Sequence, residues 1–165
     1  MLFGVLFSIG GDTALMFQGN SNFFIVGLIS FLIAHIYYII GMYRFPNFKS
    51  GLLFKKWWLG LPLTIYGFIL VYMLWAGLGE MRIPVMVYSS VIMLMGLSAI
   101  NMFGRTHEVA TQLLLVGASL FIFSDSVIAI NKFGKTTIIL TKKAAFSMFA
   151  KCFLMMNRYI LFVSK

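Results

Sequence analysis

The chain has few charges, very few acids and a single cysteine. Charged residues make up 10% of its 165 residues, and 4 acids stand against 13 lysines and arginines. Because Cys152 is alone, the sequence excludes an internal disulfide and a metal cluster held by cysteines. The opening MLFGVLFSIGGD lacks the basic start and the small-residue cleavage site of a secretory signal, so we expect it to belong to a spanning helix.

The formal net charge of +9 does not indicate nucleic-acid binding. The basic residues fall mainly between apolar runs, where they meet anionic headgroups or follow the positive-inside rule. No basic stripe lies on a polar fold, so DNA or RNA is not an expected partner. The expected partner at this level is the lipid bilayer.

Apolar sequence is what the chain has in abundance. It is 61% hydrophobic with a mean hydropathy of +0.98, far above an ordinary soluble domain. A crossing helix needs roughly 20 apolar residues, so this length predicts about five or six crossings in one domain. The predicted fold class is therefore all-α, a polytopic transmembrane helix bundle.

Five apolar runs are separated by short segments rich in turn formers and charge. The separators are QGNSN, RFPNFKSGLLFKK, GLGEMRI and GRTHE. The first run is short for a full crossing. We predict spanning helices over these runs: Met1 to Phe17, Phe23 to Tyr43, Trp57 to Ala76, Pro84 to Phe103 and Val109 to Ile130.

Residues 134–165 differ in pattern from the bundle that we predict for residues 1–133. Lysines are mixed with apolar residues there, and four polar positions fall along one side of a helix: Ser147, Lys151, Arg158 and Lys165. We predict a basic amphipathic helix that lies in the membrane interface. A sixth crossing whose cations snorkel is the alternative.

Alternation of the helices defines two membrane faces. Side A is the face reached by the end of the first helix, and it carries QGNSN, GLGEMRI and the C-terminal tail. Side B carries RFPNFKSGLLFKK and GRTHE. Basic residues are as numerous in the first loop of side B as just after the fifth helix on side A, so the loop-charge rule does not orient the chain.

Two of the four acids lie inside apolar runs. An ionised carboxylate in hydrocarbon costs at least roughly 2.5 to 3.5 kcal/mol, so Asp12 and Asp125 should face the bundle interior and have a partner or a task. Both lie near side A ends of parallel helices, which places them about 8 Å below that face at about 1.5 Å per residue. Tyr88 falls in the same layer, and His35 lies deeper.

Structural roles are the alternatives for these residues. Either aspartate could cap a broken helix or join an interhelical hydrogen bond, and His35 is more simply a packing residue. Tyr88 and Ser124 fit both interpretations. Asp12, Asp125 and His35 could supply three ligands, but no ligand-pair spacing supports a metal site, and no cofactor is predicted. Four glycines are most simply close-packing positions: Gly10, Gly11, Gly27 and Gly41.

Four segments carry a family resemblance: LFSIGGDTALMF, FFIVGLISFLIAHIYYI, VYSSVIMLMGLSAI and GASLFIFSDSVIAINKF. Together they cover residues 6–133. The chain resembles the lysoplasmalogenase family, also called the YhhN-like family, in the order and spacing of these segments. The two aspartate motifs, taken with the His-x-x-Tyr motif of His35 and Tyr38, make the match specific.

The resemblance implies a multi-pass membrane hydrolase that cleaves the vinyl ether bond of lysoplasmalogens. The products are a fatty aldehyde and glycerophosphocholine or glycerophosphoethanolamine, and the membrane is that of the endoplasmic reticulum in a eukaryote or the inner membrane in a bacterium. The catalytic pair would be Asp12 and Asp125. The resemblance also implies a bundle of about eight helices, each of roughly 20 residues. We therefore expect this chain to depart from the family pattern at its start and after Phe133. The sequence leaves open whether the chain forms a homo-oligomer.

The chemistry of vinyl ethers accounts for a pair of carboxyl groups. A neutral carboxyl protonates the β-carbon, and an ionised one stabilises the resulting oxocarbenium ion and orients water. We assign these roles to Asp125 and Asp12, respectively. Three side chains are predicted to position water or tune the pair: Tyr88, Ser124 and His35. Three on side A are predicted phosphate contacts, with ordinary interfacial anchoring as the alternative: Arg82, Asn131 and Lys132.

Two other functions use the same residues differently. A transporter or channel would relay protons or bind a cation at the aspartates. An inactive remnant of the family would enter the membrane but lack activity, because missing end helices would leave its polar groups facing lipid.

Overall fold

A computed structural model describes residues 2–16 and 21–134, without the side chain of Ser21. Within these ranges the chain forms helices and turns and no strand. The predicted amphipathic helix of residues 134–165 lies outside the described residues, apart from Gly134. Six α-helices lie in the described ranges: α1 (Leu2–Met16), α2 (Ser21–Tyr43), α3 (Leu52–Lys55), α4 (Leu61–Leu74), α5 (Arg82–Asn101) and α6 (Glu108–Phe133).

The predicted all-α polytopic bundle is confirmed. Four described stretches are long and apolar enough to cross a membrane: Asn22–Tyr43, Trp57–Leu74, Gly79–Asn101 and Glu108–Phe133. Helix α1 is apolar as well, but its 15 residues are fewer than the roughly 20 that a perpendicular crossing needs. It is the apolar helix that falls short of the length of a spanning stretch, as the first apolar run predicted.

The outer surface of the bundle is apolar. At most 39% of any spanning window is buried inside the protein, and large side chains such as Phe68, Tyr72 and Leu113 are exposed. An apolar surface of this extent is uncommon on soluble proteins. Hydrocarbon accepts it at no cost, so this pattern of exposure is that of a helix bundle in lipid.

Helix α5 occupies the middle of the described bundle. Helix α1 packs along α2, α2 packs on α5, and α5 also contacts α4 and α6. The main core joins α2, α4, α5 and α6 around Ala99 and Ile100, both fully enclosed. A smaller cluster closes the side A end, and Leu74, Val85 and Ile130 belong to it.

Small residues set the distance between α1 and α2. A Cβ atom added at Gly11 would lie 2.8 Å from the Phe31 ring, and one at Gly27 would lie 2.9 Å from Leu15. These two glycines are close-packing positions, as predicted. The same prediction is wrong for Gly10, which has nothing within 4 Å of an added Cβ because it lies on the exposed face of α1.

The segment between α2 and α4, predicted only as a separator, is a folded unit on side B. It contains α3 and two 3-10 turns, Phe48–Ser50 and Trp57–Gly60. Buried Asn101, at the end of α5, anchors this unit: its amide donates to Phe48 O at 3.2 Å, and its Oδ1 accepts from Leu53 N at 3.2 Å.

Arg105 caps the C-terminal end of α2 from the turn between α5 and α6. Its Nη2 donates to Met42 O at 3.3 Å and to Phe45 O at 2.5 Å, and its Nε donates to Pro46 O at 3.3 Å. The last carbonyls of a helix have no partner inside the helix. Arg105 therefore binds one carbonyl at the end of α2 and two just beyond it, and it fixes the two side B loops against each other.

Candidate active site

The centre of the candidate site is a contact between α5 and α6. The Tyr88 hydroxyl donates a hydrogen bond to Oδ2 of Asp125. Both side chains are half-buried, and both line a cavity whose other described walls are apolar. The structure thus gives Asp125 a hydrogen-bond partner inside the apolar bundle, which is the condition that an intramembrane carboxyl needs.

The cavity is small and lies where four helices meet. Leu15 of α1, Phe31 of α2, Val85 of α5 and Ile128 of α6 contribute to its walls. The space open to a water molecule is about 40 Å³, enough for about three or four waters at roughly 10 to 15 Å³ each. It holds water-sized groups and not a lipid chain.

A second tyrosine stiffens the same part of α6. Tyr66 of α4 donates to Ser126 Oγ at 2.8 Å, and Ser126 in turn donates to Ile122 O at 2.7 Å. Both residues are buried. Two consecutive residues of α6, Asp125 and Ser126, are therefore held by tyrosines from two different helices. Tyr66 and Ser126 are not among the residues predicted from the sequence, because an isolated Tyr and Ser in apolar runs carry no spacing signal.

Asp12 lies at the edge of the site and not in its interior. The prediction that Asp12 faces the bundle interior is wrong, since its side chain is exposed. Helix α1 turns one stripe toward α2, and it contains Gly4, Ser8, Gly11 and Ala14. Asp12 follows this stripe by one residue, about 100° around the helix. Its charge nevertheless acts on Asp125 through space.

His35 is enclosed directly inward of the tyrosine and aspartate pair. Its ring packs edge-on to Tyr88, with centroids 5.7 Å apart, and to Phe121, with centroids 4.9 Å apart. Its Nδ1 lies 2.5 Å from Phe31 O, and because a carbonyl only accepts, Nδ1 carries a proton. The fully buried Nε2 has no hydrogen-bond partner in the described residues. His35 thus has both the packing role and one free polar atom.

Tyr38, the tyrosine of the His-x-x-Tyr motif, joins α1 to α2. Tyr38 Oη lies 3.3 Å from Ser8 Oγ, and an added Cβ at Gly4 would be 2.7 Å from the Tyr38 ring. Tyr38 therefore holds the helix that carries Asp12 and does not line the cavity described above.

Ser124 does not join the site in the described part of the chain. Its side chain is exposed, whereas Ser126 is buried. The prediction that Ser124 supports the carboxyl pair is therefore not met by its placement. The physical reason is the helical period: residues 122 and 126 share the inner face of α6, and residue 124 points about 200° away from residue 122.

The three predicted phosphate contacts all lie at side A and are all exposed. The Lys132 ammonium is 5.0 Å from the centroid of the Phe24 ring, and Phe24 is a wall of the cavity. Arg82 lies over the Trp75 ring at 5.1 Å. Asn131 neighbours Lys132 at the end of α6. Lys132 is thus the cation at the rim of the cavity, and Arg82 is held by an interfacial aromatic ring.

No three His, Cys, Asp or Glu side chains come together as a metal site within residues 2–16 and 21–134. The comparisons with curated proteins and with solved structures found no match. The model of the YhhN family matches residues 1–161, so the match continues well beyond Phe133, where the sequence was expected to depart from the family pattern. The chain belongs to the YhhN family, the family that includes lysoplasmalogenases.

Proposed function

We propose that this chain is a membrane hydrolase that cleaves the vinyl ether bond of lysoplasmalogens, releasing a fatty aldehyde and a glycerophosphocholine or glycerophosphoethanolamine. One observation carries the proposal. Asp125, a carboxyl within the membrane-spanning helices, accepts a hydrogen bond from Tyr88 in a water-sized cavity. A paired carboxyl at that depth is a functional site by default, and membership of a family that includes lysoplasmalogenases supports this reaction class.

Asp125 is the proposed general acid. Its Oδ2 accepts from the Tyr88 hydroxyl, which leaves Oδ1 to carry the proton that is delivered to the β-carbon of the vinyl ether. Protonation breaks the carbon–carbon double bond and places positive charge on the α-carbon and the ether oxygen. Tyr88 then stabilises the carboxylate that remains, because a hydrogen bond to a charged acceptor is stronger than one to a neutral acceptor.

Asp12 is the proposed second carboxyl. Its charge acts on the same region as Asp125, so it stabilises the oxocarbenium ion and takes a proton from the water that adds to the α-carbon. The resulting hemiacetal collapses to the aldehyde and the glycerol hydroxyl. His35 offers Nε2 as an acceptor next to Tyr88 and is proposed to orient water or the tyrosine during this sequence.

The headgroup is proposed to stay at side A. Lys132 lies seven residues beyond Asp125, about 10 Å along α6. Asp125 is part of the cavity wall, and Lys132 lies at the cavity's edge, over Phe24. A lysolipid whose phosphate pairs with Lys132, Arg82 or Asn131 would extend its alkenyl chain toward Asp125. The cavity of about 40 Å³ is smaller than that chain, so α1 and α2 would have to move away from α6 to admit it.

The experiment is aldehyde release by the purified full chain from a lysoplasmalogen, with a lysophospholipid of the same chain length as the control substrate. Asp12→Asn and Asp125→Asn should each lower turnover by about 10²- to 10⁴-fold, the usual effect of losing an acid or base. Both variants should still insert in the membrane, because a neutral amide of nearly the same size replaces each carboxyl group there. Turnover retained by either variant would remove that aspartate from the mechanism.

The same preparation separates the two other functions. A transporter would move protons or cations across proteoliposomes in a way that depends on Asp125 and would release no aldehyde. An inactive family member would show neither activity while remaining folded. Aldehyde release by the wild-type chain excludes both as its main function.

A further inference from the structure

A wide cleft lies on side B, at the opposite end of the bundle from Asp125. Its volume is about 920 Å³, far more than the cavity beside Tyr88. One wall is the folded segment between α2 and α4, and the other is the turn that leads into α6. The hydrogen bonds of Arg105 and Asn101 tie these two walls together, so the cleft is a built feature and not a gap between loose loops.

The charged side chains that line this cleft are mostly cationic. Lys55, Lys56 and Arg105 face one acid, Glu108, with His107 beside them. The Arg105 guanidinium is bonded to carbonyl groups, which fix its position without neutralising its charge. Partial burial lowers the pKa of Arg105, because its charge has lost some hydration. An anion in the cleft would restore that lost stabilisation.

The cleft lies at the depth of lipid headgroups. Trp57 and Trp58 directly follow Lys56, and Tyr43 ends α2; all three rings are exposed. Exposed Trp and Tyr at helix ends mark the interface between hydrocarbon and water. Ser50 and Thr111 add hydroxyl groups to the lining. These groups match the parts of a phospholipid: the cations match its phosphate, the hydroxyl groups its glycerol, and the apolar flank its acyl chains.

We propose that this side B cleft binds the headgroup of an anionic phospholipid through Lys55, Lys56 and Arg105. The site is separate from the proposed hydrolytic site, and the proposal does not depend on the hydrolase function. Basic pockets between membrane helices are a common basis for such binding. The bound lipid would hold the folded segment of side B against the α5–α6 turn, so it would act as a structural lipid.

The test is lipid retention by the full chain in detergent, measured by native mass spectrometry. The probes are phosphatidylglycerol and phosphatidylcholine with identical acyl chains, and free glycerol 3-phosphate at the same concentration. The wild-type chain should retain phosphatidylglycerol in preference to phosphatidylcholine. Lys55→Gln/Lys56→Gln should lower that preference by roughly 5- to 30-fold, the effect of removing one or two cations near a phosphate.

The matched control removes two charges from the same segment outside the cleft. Arg44→Gln/Lys49→Gln has the same net charge as the test variant, and neither residue lines the cleft; its preference should equal that of the wild type. The single variant Lys55→Gln, at an exposed position, covers the case in which the double variant fails to fold. Its preference for phosphatidylglycerol over phosphatidylcholine should fall roughly fivefold. Equal losses in test and control, no preference in the wild type, or displacement of the lipid by glycerol 3-phosphate would overturn the proposal.

Discussion

Two tyrosine hydroxyls with similar chemistry have different consequences in this bundle. Tyr88 donates to a carboxyl that lines a cavity, and Tyr66 donates to a buried hydroxyl that is already tied to its own helix. The first bond acts on a carboxyl group, which gives up a proton in the proposed reaction, whereas the second joins two hydroxyl groups. The pair therefore provides an internal comparison between a chemical role and a packing role.

Tyr88→Phe should lower aldehyde release by about 10- to 100-fold, the value of one hydrogen bond to a charged group. Tyr66→Phe should leave turnover within about twofold and lower the free energy of unfolding by about 1 kcal/mol. Turnover and thermal unfolding in detergent measure the two effects on the same samples. If both variants lose turnover in proportion to their loss of stability, Tyr88 acts only through packing.

The sequence predicted the residues of the site better than their orientation. Depth along a helix follows from counting residues, so Tyr88 was correctly placed in the layer of Asp125. The rotation of a helix about its axis depends on which neighbouring helices pack against it. A run that is apolar all round does not indicate which of its faces meets those neighbours. The inner serine of α6 is therefore Ser126 and not Ser124, and Asp12 is exposed.

At the scale of the helices, the packing of α1 decides where Asp12 lies. Helix α1 contacts α2 through small residues, and Gly11 lies against the Phe31 ring. Phe31 also lines the cavity that contains Asp125. The spacing between α1 and α2 is therefore linked to the relative position of the two carboxyl groups.

Gly11→Leu should force α1 away from α2, because the new side chain would overlap the Phe31 ring. The expected cost is about 1 to 3 kcal/mol of stability, as for other overpacked sites, together with a loss of turnover. Gly10→Leu is the matched control, since it adds the same side chain at a neighbouring glycine with nothing within 4 Å. Thermal unfolding and aldehyde release should both separate the two variants. Equal behaviour would mean that this seam does not position Asp12.

Long helices were predicted well, and the short elements between them were not. Uninterrupted apolar runs between polar segments specify the ends of α2, α5 and α6 to within three residues. The segment of residues 44–60 instead owes its fold to tertiary contacts, namely Asn101 with Phe48 and Leu53, and Arg105 with the end of α2. Its local sequence resembles a loop, because the groups that order it lie about 50 residues further along the chain.

At the scale of the whole molecule, the two ends of the bundle have different chemistry. Side A carries the proposed hydrolytic site with Asp125, Tyr88 and Lys132, and side B carries the basic cleft around Arg105. The division follows from the alternation of the spanning helices. Each spanning helix brings one end to each face, so residues near the two ends of α5, Tyr88 and Asn101, serve opposite sides of the membrane.

That alternation predicts which loops share a face. In a Cys152→Ala background, Lys49→Cys and His107→Cys should be labelled by an impermeant thiol reagent from one side of sealed vesicles, and Glu80→Cys from the other. All three positions are exposed, and permeabilised vesicles, in which all three should react, are the control. A common side for the three would require the stretch Gly79–Asn101 to enter and leave by the same face. Its backbone would then have to turn inside hydrocarbon, where each unsatisfied polar group costs several kcal/mol, so the opposite-side result is the one that the fold demands.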